Sequence, residues 1–276
     1  MRLQAHAIAV AVASAFVVFG CSLGETAQPP LASFAVAPQS GSAPSRAPRE
    51  ALTPREAALR CPDGMAEIPV TGREHAFCID RWEASLVEVL PGGAERPYSP
   101  FALADGHTVR AVTAPGVYPH GYVSALQASR ACAQSEKRLC KSTEWRRACR
   151  GPEEHAWGYG DRREPGRCND NGRNPITSVF GMRLYTPYTM NAPQLNQVPG
   201  TLARTGERAG CTNGFGVFDM VGNLHEWIAD SGGTFYGGYY QDVASLGHGA
   251  GCGYATVAHS ASYHDYSTGF RCCSDL

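Results

Sequence analysis

Three groups of residues in this chain have types and spacings that could do chemistry. The first lies in GVFDMVGNLHEW, 216–227, where Asp219 and Glu226 bracket a turn and the carbonyls of Gly222 and Leu224 can point the same way. A hard cation such as Ca²⁺ takes roughly six to eight oxygens and mixes carboxylates with backbone carbonyls, so the run reads as a calcium clip. The competing reading is a salt-bridged turn with no metal. A sparser oxygen set is Asn169 and the carbonyl of Asp170 in CNDN, with Asn191 opposite. The second group is His225, His259 and His264 with Asp265, residue types that suit iron or another transition metal; the plainer reading makes them surface or groove residues.

The third group is the cysteines, 11 in all. Their chemistry depends on compartment. Arg2 precedes an apolar run, IAVAVASAFVVF (8–19), of signal-peptide length and too short to span a bilayer. It leads into VFGC, 18–21, which resembles a bacterial lipobox, although Phe19 is atypical there. On that reading residues 1–20 are a lipoprotein signal peptide and Cys21 is the acylated mature N-terminus, held by more than one acyl chain. Ser22 gives no inner-membrane retention signal, so the expected location is the cell envelope, anchored by lipid to the outer membrane. An ordinary signal peptide cleaved nearby is the competing reading. Cys61, Cys78, Cys132, Cys140, Cys149, Cys168, Cys211, Cys252, Cys272 and Cys273 remain, an even set in an exported chain, which makes disulfides the default. Zinc would compete, but no CxxC pair occurs.

These groups must be positioned by a single domain. Residues 21–60 are rich in Pro, Ala and Ser and poor in large apolar side chains, the composition of a disordered tether, which leaves 61–276 as the fold. GMAEIPV (64–70) and AFCIDRWEAS (76–85) read as a strand pair around Thr71-Gly72. A Cys61–Cys78 bond would close it, worth about 3 kcal/mol of chain entropy. SALQASRACAQSEK (124–137) carries a Ser124/Gln127 capping box, with Tyr122, Ala125, Leu126, Ser129, Cys132 and Ala133 on one helical face. STEWRRACR (142–150) presents Trp145, Ala148 and Cys149 inward and is stopped by Gly151-Pro152. The stretch 151–215 has few periodic runs, so it needs staples, by disulfide or metal. With 24 basic against 25 acidic side chains and no basic stripe, nucleic acid is not an expected partner.

Five motifs, in order over about 61–276, carry a family resemblance: CIDRWEAS (78–85), KRLCKSTEWRRACRG (137–151), HAWGYGD (155–161), GVFDMVGNLHEW and the closing GFRC. They resemble the formylglycine-generating-enzyme, or sulfatase-modifying-factor, family. The resemblance implies an α+β, C-type-lectin-like fold, irregular, loop-rich and disulfide-stapled, and its second calcium site matches Asp219, Gly222, Leu224 and Glu226. It also implies, for the enzymes, two C-terminal cysteines that bind copper(I), a soft ion suited to thiolates. After GGTF (232–235) or GGYY (237–240) the first of these positions holds Gly237 or Asp242, and only Cys252 falls near the second. Cys252 is thus the one catalytic candidate, with a half-cystine as the plain alternative. His225 replaces the tryptophan usual in the motif.

The expectation is therefore a lipid-anchored envelope protein, non-catalytic, binding an envelope protein, a peptide or a glycan. Calcium would be its structural cofactor, and copper and iron are not expected. The alternative is an oxidoreductase of the formylglycine-generating type, or a related non-heme metal oxidoreductase.

Overall fold

The structure, a computed structural model, describes residues 61–69 and 75–276. The expected signal peptide, the Cys21 acylation site, the tether and the Thr71-Gly72 turn lie outside the described residues.

The strand pair forms as read. β1 (Met65–Ile68) and β2 (Phe77–Asp80) are antiparallel with Met65 opposite Asp80, and Cys61–Cys78 closes them. All four β2 residues are buried, because the strand is covered on both faces rather than on one. Beyond it, β3 (Ser85–Val89), β4 (Glu95–Pro97) and β5 (Val109–Val112) make a separate sheet in the order β4-β3-β5.

Helix α1 (Ala125–Ala133) starts at the expected capping box, Ser124 accepting from the Gln127 backbone N–H while the Gln127 side chain accepts from Ser124. It is shorter than expected, since Glu136 takes a left-handed φ of 56°. Its buried stripe is Ala125, Ala128, Ala131 and Cys132, whereas Leu126 is 47% exposed. The Cys132–Cys272 bond fixes which face of α1 turns inward, and small side chains there let the helix lie close to its neighbours. Strand β6 (Arg138–Leu139) follows, then helix α2 (Ser142–Arg150), which buries Trp145, Ala148 and Cys149 as expected and ends at Gly151.

The long stretch beyond α2 contains two short helices, α3 (Pro175–Phe180) and α4 (Pro187–Met190), and is stapled by Cys168–Cys211. The second half of the domain is built from very short strands: β7 (His225–Trp227), β8 (Phe235–Tyr236), β9 (Ala244–Ser245), β10 (Gly249–Ala250), β11 (Ala255–Thr256), β12 (Thr268–Phe270) and β13 (Cys272–Asp275). The order β11-β8-β7-β12 makes one sheet, with β12 parallel to β7. β13 inserts between β2 and β6, so the last strand closes the first sheet. Its two cysteines bond outward, Cys272 to Cys132 and Cys273 to Cys140, across sequence separations of 140 and 133 residues. Loops that long each remove about 5 kcal/mol of unfolded-chain entropy in the chain-entropy model, which offsets the scarcity of regular structure.

Candidate functional site

Neighbouring residues of a strand face opposite ways, and β7 uses this to serve two environments. Glu226 points into the core. Both of its carboxylate oxygens are held at 2.6 Å by Arg271, and Trp145 Nε1 donates to it at 2.7 Å. Arg271, the arginine of GFRC, is fully buried and also donates to the carbonyls of Asp80 and Phe218. Burial would lower its pKa, but Glu226 outweighs that and holds it raised. Glu83 completes the node, accepting from the Asn223 side chain at 2.6 Å and the Leu224 backbone N–H at 3.1 Å.

The turn before β7 is shaped for this. Gly222 has φ of 82°, and a Cβ there would sit 2.3 Å from the Asn169 carbonyl oxygen, so only glycine fits. Asn223 follows with φ of 56°, a left-handed conformation that asparagine tolerates, and its side chain ties Glu83 to Ala203. Burial raises the pKa of Glu83, and Asp219 and Glu226 push it further. Asp219, which accepts from the Gly206 N–H, is raised to about 6, burial being the main cause.

This geometry decides how well the expected calcium ligands suit the ion. Calcium needs carboxylate oxygens that are free to turn toward it. Glu226 has neither oxygen free, and the guanidinium already supplies the positive charge at that point. The run 219–226 therefore fits the salt-bridged turn that competed with the metal clip. The second oxygen set does not come together. Asn169 donates to Thr201 and Asn223, the Asp170 carbonyl accepts from Arg163, and Asn191 belongs to a different network with Pro187 and His264.

The other face of β7 opens into a cleft of about 270 Å³. His225 forms its floor, 5% exposed, with ring centroids 4.4 Å from Phe235, 4.8 Å from Tyr239 and 5.6 Å from Tyr254. Its Nδ1 is buried and has no hydrogen-bond partner. Burial, reinforced by His248 and His259, lowers its pKa to about 3, so the ring is neutral at pH 7. His259 stacks on Tyr263 at 3.9 Å and is likewise lowered by burial. Two carboxylates stand behind phenols: Tyr254 donates to Asp242 at 3.0 Å, and Tyr263 donates to Asp265. Asp265, raised by burial, also accepts from the Ser267 backbone and hydroxyl.

Of the histidine group expected from the sequence, His225, His259 and Asp265 do meet in this cleft. His264 does not; its ring bonds Asn191 at 2.8 Å outside it. His248, Asp242 and the phenols of Tyr239, Tyr254 and Tyr263 are lining residues that sequence reasoning missed. The density of aromatics and glycines over 232–254 was the available signal. Among the described residues no three His, Cys, Asp or Glu side chains are arranged to hold a metal ion.

Cys252 is not a reactive thiol in this structure. It is fully buried and bonded to Cys149 of α2. The structure thus pairs the one catalytic candidate as a half-cystine, and the ten described cysteines form five disulfides. Of the two positions where the first copper cysteine could stand, one has no room for a thiol and the other holds a carboxylate engaged elsewhere. At Gly237, with φ of 84°, a Cβ would lie 2.7 Å from the Met220 carbonyl and 3.2 Å from the Trp145 ring. Asp242 accepts from Tyr254.

Residues 33–276 match the model of the sulfatase-modifying factor enzyme 1-like domain. Among solved structures, the chain is similar to CarF at 17% identity with a TM-score of 0.41, over 77% of this chain and 96% of that one. PvdO from Pseudomonas aeruginosa is similar at 16% identity with a TM-score of 0.39, over 77% and 90%. The I1 variant of Major Tropism Determinant is similar at 12% identity with a TM-score of 0.39, over 77% of this chain and 55% of that one. No curated protein matches.

Proposed function

The chain belongs to the sulfatase-modifying factor enzyme 1-like family, and from that premise we propose that it is a binding member rather than a thiol–copper oxidase: an exported, lipid-anchored envelope protein that holds a ligand noncovalently in the cleft beside β7. The Cys149–Cys252 disulfide carries this reading. Copper(I) chemistry of the family's kind needs two thiolates close together. Here the first position is Gly237, with no room for a side chain, or Asp242, a carboxylate, and the sulfur near the second is bonded. Five disulfides among the described residues suit an oxidising compartment. The lipobox-like VFGC supplies the anchor.

The test is a thiol count on the denatured, unreduced protein together with a peptide oxidation assay supplied with copper and oxygen. No titratable thiol and no turnover are expected. Turnover that disappears in Cys252→Ser would overturn the proposal.

A second reading, a transition-metal oxidoreductase, has only the presence of His225, His248 and His259 in the lining of one cleft behind it, since no three such side chains among the described residues are arranged to hold an ion. Titration with iron(II) and copper(II), followed by the His ring NMR signals, separates the two. Stoichiometric binding lost in His259→Ala would favour the second.

A further inference from the structure

The chemistry of the cleft walls narrows the ligand class. Aromatic rings dominate: Phe235, Tyr239 and Tyr254 pack around the neutral His225 ring, and Tyr263 stacks on His259. Aromatic faces are negative at the centre and attract cations, most strongly where water is excluded. Two of these phenols donate to carboxylates, Tyr254 to Asp242 and Tyr263 to Asp265. A phenol whose proton is drawn toward a carboxylate has a more electron-rich ring, which strengthens that attraction. No lysine or arginine is among the described residues lining the cleft, so nothing there favours a phosphate, sulfate or carboxylate. The buried His225 Nδ1 without a partner adds an unmet hydrogen-bonding atom, which in a native site points to a ligand or water. The volume, about 270 Å³, falls just below the range of roughly 300–1,000 Å³ typical of drug-sized ligands, so a small headgroup fits and an oligosaccharide does not.

We propose that this cleft binds an alkylammonium group, caged by the partly exposed rings of Tyr239, Tyr263 and His259 and backed by Asp242 and Asp265, with Tyr254 orienting Asp242. The proposal rests on the binding reading above and specifies the chemistry of its ligand. The group could come from a free amine or from the headgroup of a lipid.

Titration calorimetry and His ring NMR on the purified mature protein test it with choline, n-butylammonium, phosphocholine, glucose and 3,3-dimethylbutan-1-ol, the uncharged isostere of choline. Choline or n-butylammonium should bind saturably, about tenfold or more tighter than the uncharged isostere. Asp242→Asn and Tyr254→Phe should each weaken binding several-fold while circular dichroism stays unchanged. Phosphocholine binding as tight as choline would assign the source to a lipid headgroup, and weaker binding would assign it to a free amine. Isostere binding within threefold of choline, or no saturable cation binding at tens of millimolar, would overturn the alkylammonium assignment. Glucose binding without cation binding would overturn it too, yet leave the binding reading standing. Copper-dependent peptide oxidation requiring Cys252 would instead remove the binding reading itself.

Discussion

Glu226 and His225 are consecutive residues of one three-residue strand, yet the regions they enter are built on opposite terms. On the Glu226 side, charge is buried and answered: one guanidinium is bonded to Glu226 and lies in the field of Glu83 and Asp219, and hydrogen bonds from Trp145, Asn223 and backbone N–H groups take up the oxygens. On the His225 side the carboxylates are answered too, but a buried imidazole nitrogen has no partner beneath a concave aromatic surface. A saturated node has nothing left to offer a ligand, so it holds the fold. The unsaturated face is where binding can occur. The same motif, GNLHEW, supplies both, and the pleat separates them.

The sharpest way to break this contrast is to remove the cation from the saturated side. Arg271→Ala would leave Glu83, Asp219 and Glu226 facing one another in the core. The expected loss is about 3–5 kcal/mol, read by urea unfolding, because an uncompensated buried charge costs more than the pair contributed. Arg271→Met combined with Glu226→Gln should recover part of it. A loss below about 1 kcal/mol for Arg271→Ala would mean that the node does not hold the fold.

The Cys149–Cys252 bond links α2, which carries Trp145 into the node, to the turn that precedes β11 at the cleft wall. Replacing either cysteine with serine should cost about 2–5 kcal/mol, and the double replacement no more than the worse single one. The thermal midpoint checks the stability. If the cleft needs only the local aromatic framework, choline affinity at low temperature should change less than threefold. A larger change would show that the two regions are mechanically coupled.

Acid should act on Asp219 and His225, one from each region, with opposite signs. The folded-state pKa of Asp219 is raised to about 6 from 3.8, so between these values the folded protein binds more protons than the unfolded chain. Its contribution is complete below 3.8 and is lost as pH rises through 6. His225 is lowered to about 3 from 6.5, so the unfolded chain binds more protons. Its contribution is complete above 6.5 and is lost as pH falls toward 3, by up to a few kcal/mol. The raised Glu83 and Asp265 add to Asp219, so any limb on which stability rises as pH falls belongs to the buried carboxylates, and any limb on which it falls with pH belongs to the buried histidines. Asp219→Asn should flatten the alkaline limb. His225→Phe should shallow the acid limb without abolishing it, because buried His120 is also lowered to about 3 by desolvation and has the same sign. Unfolding curves across pH 4–8 for the three proteins decide it, and an unchanged acid limb in His225→Phe would contradict the buried, neutral imidazole.

Local patterns made part of this molecule legible. The capping box at Ser124, the Trp145 face of α2, the Cys61–Cys78 closure and the family resemblance each rest on short-range spacing, and each is present. What escaped depended on long-range partners. Asp219 and Glu226 have the spacing of calcium ligands, but the sequence could not show that Arg271, 45 residues beyond Glu226, takes both of its oxygens. Leu126 belonged to the helical face that periodicity favoured, yet the Cys132–Cys272 bond turns a different stripe inward. His248, Asp242 and the phenols were missed because the ribbon of β9 and β10 and the turn into β11 bring them to β7, and two-residue strands leave no periodicity to read.

The smallest expected effect tests where the cleft ends. His264 stands one residue before Asp265, and on residue type alone it belongs to the same site as His225 and His259. The chain direction says otherwise: Asp265 is buried toward Ser267 and Tyr263, while the His264 ring is turned away, bonded to Asn191 and 3.9 Å from the exposed Asp105 carboxylate. An exposed pair of that kind contributes under about 1 kcal/mol. His264→Ala should therefore shift unfolding by no more than about 0.5 kcal/mol and leave choline affinity within twofold of the parent. His259→Ala should weaken choline binding by more than that, through loss of the ring stacked on Tyr263. Equal losses in the two variants would extend the cleft toward α4 and blur the boundary between its aromatic wall and the surrounding surface.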